Sequence, residues 1–318
     1  MEIIYGLDKC SEIQGMALAL GNFDGVHRGH REILNITVQK AREIKVKSAV
    51  LVFDPHPLNL LKPESRPQIL TPLLEKASLM EELGIDLLLV IPFDRQFASL
   101  KPEEFVKKIL VDCLQVKEVV VGFDYSFGRE GSGRAEDLKQ MARLYGFKVH
   151  VVQPVTFNKK IVSSSLVRDL ILQGRMKEAS VYLGYHYFIR GQVIPGEGRG
   201  KFLGYPTANL EVPLERIIPA DGVYLTNVTY EKQNYYGLTN IGYNPTFRGT
   251  IKTIETHIVN FEHSIYESEL RLAFLQKIRD ERPFSSSEKL KEQIKLDLHQ
   301  ALKIIKSFNN DLAGSKQP

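Results

Sequence analysis

Five short apolar runs, residues 16–20, 49–53, 87–91, 118–121 and 148–152, alternate with helical periods over the first half of the chain. That alternation leaves little choice of fold. Strands this apolar must be covered on both faces, and helices placed between them do so only around a parallel sheet. Ile33, Leu34, Val38 and Ala41 fall on one helical face. A second helix is expected after Thr71-Pro72, with Thr71 as its cap and Pro72 at its first position, ending at Gly84. A third spans residues 134–145 and stops at Gly146. Sheets of this kind hold ligands beyond the carboxyl ends of their strands, so the strand-to-helix turns are the first places to look for chemistry.

Beyond Gly174 and Gly184 the pattern changes. Helical periodicity gives way to β-rich runs at residues 187–193, 223–230, 235–241, 253–261 and 270–278, punctuated by Gly, Pro and Asn. This spacing predicts an antiparallel barrel or sandwich. One long helix closes the chain, with Leu290, Ile294, Leu298, Ala301, Ile305 and Phe308 in a single stripe after cap candidates at residues 285–287. Residues 309–318 read as a frayed tail. At roughly 150 residues per domain, a chain of 318 residues divides in two, and the change of pattern puts the boundary at residues 184–186. The domains are therefore expected to be residues 1–184 and 185–318.

Charge excludes some partners. Lys plus Arg is 42 and Asp plus Glu is 38, a net charge of +4, too mild for a general nucleic-acid binder. The lysines of the last helix (Lys289, Lys291, Lys295, Lys303, Lys306) are interspersed with Glu288, Glu292 and Asp297, which reads as a solvated face. Cys10 and Cys113 make neither a disulfide framework nor a zinc site and are expected to pack without chemistry. No apolar run approaches the ~18 residues of a membrane span, and no basic-then-apolar leader opens the chain. A soluble, cytoplasmic protein without membrane partners is expected. Self-association is left open.

Directly after the first of these strands comes Gly21-Asn22-Phe23-Asp24-Gly25-Val26-His27-Arg28-Gly29-His30. Glycines let the backbone turn sharply and approach a ligand. The helix that follows offers unpaired N–H groups and a positive dipole end, together an anion site. Two histidines could simply cap that helix, but paired around Arg-Gly at this turn they favour phosphate binding. Ser163 and Ser164 open another short helix, where they either cap it or bind phosphate, with Arg168 about one turn inside. Phe53-Asp54-Pro55-His56-Pro57 is a stiff loop whose Phe and Pro surfaces would suit a flat ring. Further on, Gly196 to Lys201 fails the P-loop spacing, because Pro195 and Phe202 stand where Gly and a hydroxyl are required. By itself that segment reads as a flexible basic hairpin loop. Thr207 and Asn209 alternate on a strand, so their oxygens share one side, either as a cross-strand hydrogen-bond pair or as ligands for Mg²⁺ beside phosphates.

In combination these strings resemble the bacterial bifunctional riboflavin kinase/FAD synthetase family over roughly residues 1–308. His27-x-Gly29-His30 resembles the HxGH signature of nucleotidylyltransferases. Gly122-Phe123-Asp124-Tyr125-Ser126-Phe127-Gly128 and Ser163-Ser164-Ser165-Leu166-Val167-Arg168 follow in family order, the latter with Ser165 in place of Thr. Leu203-Gly204-Tyr205-Pro206-Thr207-Ala208-Asn209 is similar to the GFPTAN motif of riboflavin kinases. The string from Asn240 to Phe247 is similar to the family's NIGxxPTF segment, and Ile254-Glu255-Thr256-His257-Ile258 to the strand that carries the kinase carboxylate.

The resemblance implies a Rossmann-like FMN adenylyltransferase domain followed by a β-barrel riboflavin kinase domain. It implies ATP as co-substrate with Mg²⁺, riboflavin and FMN as substrates, and FMN and FAD as products. It also implies the site residues. Gly21, Asn22, Phe23, Gly25, His27, His30, Asp124, Ser163, Ser164 and Arg168 would bind the ATP used in adenylylation, with His27 and His30 catalytic. Phe53, Pro55, His56, Pro57 and Arg279 would meet the flavin. Gly198, Lys201, Gly204, Pro206 and Thr207 would bind the kinase ATP, Thr207 and Asn209 the metal, and Glu255 would serve as general base. His257, on the same side as Glu255, would be structural or support it. Lys201 replaces the family's usual Arg, which keeps the charge and loses the fork. Tyr266-Glu267-Ser268 lacks the usual Gly after the aromatic residue, which puts a turn near the flavin site in question. A chain with one activity retained, or a flavin-binding regulator without chemistry, would be expected to lack Glu255, His27 or His30. All three are present.

Overall fold

A computed structural model describes residues 1–8, 13–61, 68–196, 199–213, 215–246 and 249–314. Cys10, Gly198 and Phe247 lie outside the described residues, as do the side chains of Lys201 and Phe308. The chain forms two compact units, Met1–Leu166 and Val167–Pro318.

The first unit holds a six-stranded sheet, every pair of neighbours parallel: β1 Glu2–Tyr5, β2 Ala17–Leu20, β3 Ser48–Phe53, β4 Leu87–Ile91, β5 Glu118–Gly122 and β6 Lys148–Val152. The order is β1-β4-β3-β2-β5-β6. β2 and β4 are buried along their whole length, which is why they stand out as apolar runs. β1 was not expected. It is an edge strand with only Ile4 buried, so it carries too little apolar signal to be read. The order reverses at β2, and the turns after β2 and β5 therefore flank the crevice where such sheets bind ligands.

Helix α1, Arg28–Glu43, buries Ile33, Leu34, Val38 and Ala41 as its spacing requires. Helix α2, Leu73–Glu82, departs from expectation at its start. Pro72 itself occupies the cap position and makes no side-chain cap bond, because the Thr71 hydroxyl is engaged elsewhere. Helix α3, Ala135–Tyr145, ends at Gly146 as expected. Helices α4, Ser164–Leu172, and α5, Met176–Leu183, precede the barrel.

The second unit is a closed six-stranded antiparallel barrel: β7 Phe188–Ile194, β8 Ala208–Glu211, β9 Gly222–Tyr230, β10 Gln233–Thr246, β11 Gly249–Ile258 and β12 Glu269–Arg279, in the order β7-β8-β11-β10-β9-β12. β10 runs past the apolar stretch expected for it, because Tyr243 and Asn244 still pair with Lys252 and Ile251 although polar residues mask the pattern. β11 stops at Ile258, three residues short of the expected end, and Asn260 turns the chain at φ 56°. Between β7 and β8 the expected open hairpin loop is instead one helical turn, Arg199–Leu203. The Tyr205 N–H closes on the Gly200 carbonyl at 2.8 Å, and a Cβ at Gly200 would overlap the Tyr205 carbonyl.

Inside the barrel, Thr226, Thr239 and Thr256 are fully buried, and their hydroxyls form a chain with links of 2.8 Å and 2.8 Å. This ties three adjacent strands and satisfies each hydroxyl. The last helix, α6 Ser287–Gly314, packs Ala301, Ile305 and Leu298 on the outer barrel wall of Val223, Leu225, Leu238 and Leu275. The Ser286 hydroxyl accepts from the Lys289 N–H at its start. The helix runs to Gly314 where a frayed tail was expected from residue 309, for no Gly or Pro interrupts it earlier. Asp297 does not belong to the solvated face. It is 2% exposed.

The turn at Tyr266-Glu267-Ser268, in question from the sequence, forms without a glycine. Glu267 adopts the left-handed conformation, φ 63°, and its N–H reaches the Val193 carbonyl at 2.9 Å. Residues 266–268 do not line the cavity described below. Glu267→Gly is expected to be neutral or to stabilise the protein by less than about 1 kcal/mol, since relief of the left-handed strain is partly offset by unfolded-chain entropy. Urea denaturation of the two proteins checks this; a clear loss of stability would contradict it.

Candidate active sites

The turn between β2 and α1 is held in an unusual backbone path. Phe23 (φ 49°), Gly25 (φ 89°) and Val26 (φ 35°) all lie in the left-handed region. A β-branched residue there is strained and persists only where its surroundings enforce it. The enforcement is visible. Buried Asp24 accepts hydrogen bonds from the N–H groups of Leu70 and Thr71, both at 3.0 Å, and from the Thr71 hydroxyl at 3.3 Å. The Gly25 N–H donates back to Thr71 Oγ1 at 2.8 Å. Lys76 on α2 donates through Nζ to the Asn22 carbonyl at 2.7 Å. Ser164 donates to the Asp24 carbonyl at 2.8 Å.

The paired histidines follow from this turn. His27 is the cap of α1, its Nδ1 accepting the His30 N–H at 3.2 Å. That bond makes Nε2 the protonated nitrogen and hence a donor. The rings of His27 and His30 stack at 3.6 Å and 12°, and Phe23 meets His30 edge-on at 5.2 Å. His27 therefore caps the helix through one ring nitrogen and carries its proton on the other.

The remaining candidates of this unit divide. Ser163 accepts the Leu166 N–H at 3.3 Å and caps α4, while Ser164 turns to the Asp24 carbonyl. Arg168 stands one helical turn beyond Ser164 on the same helix, in the stretch that belongs to the second unit. Asn22 is exposed, and Gly21 sits against the Phe23 ring. Asp124 is exposed just past β5, at the other lip of the crevice. Phe53 packs edge-on against Phe93 and Phe97, each at 5.1 Å. His56 accepts the Leu58 N–H at 3.2 Å, capping the short helix Pro57–Leu61, and Pro55 is exposed.

The sequence reading passes over Asp24 and Lys76. The signal for Lys76 was its place on the α2 stripe beside Ala77, Leu79 and Met80, where a charge is out of pattern. Burial pushes its ammonium below the usual lysine range, against the opposing pull of Asp24 and Asp54. Lys76→Met is expected to leave stability unchanged or raised, because a buried charge is replaced by a side chain of similar volume. Activity that depends on this turn should still fall about tenfold as the Asn22 carbonyl loses its anchor. The unfolded chain holds the Lys76 proton to higher pH than the folded one, so wild-type stability rises with pH between the lowered folded pKa and the ordinary value. Melts across that window should show the rise in wild type and its loss in the variant.

In the second unit, a cavity of about 540 Å³ lies between the outer barrel wall and α6. Strand alternation sets its polar wall. Ile254, Thr256 and Ile258 turn inward, so Glu255 and His257 face out into the cavity. Cross-strand register places Glu255 directly between Asn209 and Asn240. Thr207 joins them. His257 is fixed by the Pro206 carbonyl, 2.9 Å from its Nδ1, and by the edge of Tyr205 at 5.4 Å. Gly204 and Pro206 carry the chain past the cavity without lining it.

Thr207 and Asn209 offer oxygen only, a hydroxyl and an amide oxygen, with the Glu255 carboxylate beside them. Among the described residues no group of three or more His, Cys, Asp or Glu stands ready for a metal. The set therefore fits a hard cation that takes much of its shell from phosphates and water. A Cβ at Gly196 would overlap the Asn209 amide, so the backbone closes tightly over that side chain.

The lining toward α6 was largely missed from sequence. It comprises Arg279, Glu281, Arg282 and Phe284, with Leu290, Ile294 and Asp297 of α6. Only Arg279 had been singled out. Burial raises the Glu281 carboxyl above its usual range, and the charge of Asp221 adds to the effect.

Among the described residues no helix is long and apolar enough to cross a membrane. Residues 9–166 match the family model for FAD synthetase and residues 183–305 that for riboflavin kinase. The bifunctional riboflavin kinase/FMN adenylyltransferase of Listeria monocytogenes is 40% identical, covering 88% of this chain and 89% of the relative. The protein of the same description from Bacillus subtilis is 36% identical, covering 90% and 91%. That from Escherichia coli is 35% identical, covering 93% and 96%. A crystal structure described as a macrolide-efflux protein from Streptococcus pneumoniae superposes with a TM-score of 0.85 at 33% identity, over 94% of this chain and 98% of that one. The two units, matched in order by two family models and end to end by single curated relatives, leave one assignment: the chain belongs to the bifunctional riboflavin kinase/FMN adenylyltransferase family.

Proposed function

We propose that this chain makes FAD from riboflavin in two reactions, one in each compact unit. In the barrel unit the riboflavin 5′-hydroxyl attacks the γ-phosphorus of ATP, giving FMN and ADP. In the sheet unit an FMN phosphate oxygen attacks the α-phosphorus of a second ATP, giving FAD and pyrophosphate. Taken as regions of sequence, the second activity is assigned to residues 1–184 and the first to residues 185–318. The observation that carries the reading is the register Asn209↔Glu255↔Asn240, which gathers a carboxylate and neutral oxygen donors on one cavity wall.

The kinase step requires removal of a hydroxyl proton and neutralisation of phosphate charge. Glu255 is assigned the proton, and the backbone-pinned His257 keeps the neighbouring segment in place. Thr207 and Asn209 would hold Mg²⁺. When bound, Mg²⁺ supplies charge neutralisation at the ATP phosphates.

Adenylylation needs no general base, since the FMN phosphate is already a nucleophile. Positioning and stabilisation of developing negative charge suffice. His27 Nε2, His30 and the α1 N-terminus supply donors on one side of the crevice, and Ser164 holds the turn that carries them. Arg168 and Asp124 are assigned to the same ATP, and the 53–57 loop to the flavin. Cytoplasmic location fits the substrates.

The test is chromatography of flavins after the purified protein is mixed with riboflavin, ATP and Mg²⁺. FMN should appear first and FAD follow. Riboflavin left untouched while added FMN becomes FAD would remove the kinase assignment, and no product from either substrate would remove both.

A further inference from the structure

We propose that Asp297, on α6, is a positioning residue of the kinase site that acts through Arg279; this deepens the kinase reading given above and rests on it. Asp297 sits on the apolar stripe of its helix, three residues after Ile294 and four before Ala301. A carboxylate there is out of pattern and needs a reason. It is 2% exposed, and both of its oxygens receive Arg279 Nε, at 2.9 Å and 3.1 Å. Gln293 Nε2 donates to the same carboxylate at 2.7 Å, and Gln293 Oε1 in turn accepts from Arg282 Nη2. Phe284 lies under both guanidinium groups, at 5.5 Å and 5.3 Å from its ring centre.

The effect is to fix one arginine. Nε is committed to Asp297 and Nη1 to the Asp280 carbonyl at 3.0 Å, while among the described residues Nη2 has no hydrogen-bond partner. Arg279 lines the cavity in the same cross-strand row as Glu255, through Val223 and Asn240. A guanidinium locked on one edge presents its remaining N–H groups in a set plane, at little further entropic cost when a substrate arrives. The floor beside it is apolar, from Val223, Leu238, Leu290 and Ile294. A flat aromatic substrate with polar atoms on one edge meets both requirements. Asp297 would therefore govern how well riboflavin is held, and much less how fast the held substrate reacts.

The experiment uses the full chain and three variants: Asp297→Asn, Arg279→Ala and the two combined. The asparagine keeps the shape of the side chain, but its amide nitrogen meets Nε donor to donor and the guanidinium loses its counter-charge. Asp297→Asn should raise KM for riboflavin about tenfold, with kcat within about threefold of wild type. Riboflavin binding read by quenching of its own fluorescence should weaken in parallel. The combined variant should be no worse than Arg279→Ala alone, because the two residues act as one unit. Asp297→Glu, which restores the charge, should recover part of the loss.

A KM unchanged in Asp297→Asn, or effects of the two single changes that multiply in the combined variant, would overturn the proposal. So would a fall in kcat and thermal midpoint with KM unmoved, which is the signature of a purely structural ion pair. Wild-type protein that forms no FMN would instead overturn the kinase reading itself, and the riboflavin fluorescence titration would still decide whether Asp297 acts on binding.

Discussion

Glu255→Gln is expected to abolish conversion of riboflavin to FMN, lowering kcat by about 10²–10⁴, while conversion of FMN to FAD continues. The change keeps the shape and hydrogen-bonding reach of the side chain and removes its ability to take a proton. Its neighbours Asn209 and Asn240 are amides and offer no substitute base. The loss should therefore fall on kcat more than on KM for either substrate. Glu255→Ala should behave alike. The measurement is the rate of ADP release with riboflavin, alongside pyrophosphate release with FMN in the same preparation. A variant that retains kinase activity within a few-fold would remove Glu255 from the mechanism, and one that loses both activities in a folded protein would undo the division into two sites.

His30→Ala should give the opposite result. With riboflavin supplied the product stalls at FMN, and FAD formation falls by about 10²–10³, the usual consequence of losing one donor aimed at developing charge. The stacked His27 ring loses its partner, and the α1 cap loses none of its bonds, since the His30 N–H that His27 accepts is backbone. The fold of the turn should therefore survive, which makes the variant interpretable. His27→Ala is a poorer probe because it removes the cap as well, at a cost of about 1 kcal/mol. Comparing the two separates loss of a ligand donor from loss of the helix start.

Much of the architecture could be read from the order of residues. Strands β2 to β5 are apolar because both faces of a parallel sheet are covered, and that coverage leaves a continuous run, whereas the edge strand β6 buries only Val152 and is legible from Val149, Val151 and Val152. β1, at the opposite edge, is only four residues long and buries Ile4 alone. In the barrel the strand cores were legible but their ends were not, since pairing through Tyr243, Asn244, Ile251 and Lys252 is carried by backbone groups that have no letter in the sequence. The start of α2 was misread for a similar reason. Thr71 has the right chemistry to cap a helix, and only the fold reveals that its hydroxyl serves Gly25 and Asp24 instead.

By itself the sequence determined the two halves, the class of each fold and the family, because periodicity and motif spacing are local properties that neighbouring residues carry together. It also placed the chemistry-bearing residues in their strands and turns. Tertiary structure alone decided what those residues face. Glu255 meets Asn209 across 46 positions of chain, Asp24 reaches Leu70 across 46, and Arg279 finds Asp297 across 18. Pairings of this kind depend on strand register and on which helix covers which wall. A buried carboxylate such as Asp297 looks the same in sequence as the solvated acids beside it, and only the exclusion of water around its partner makes it different.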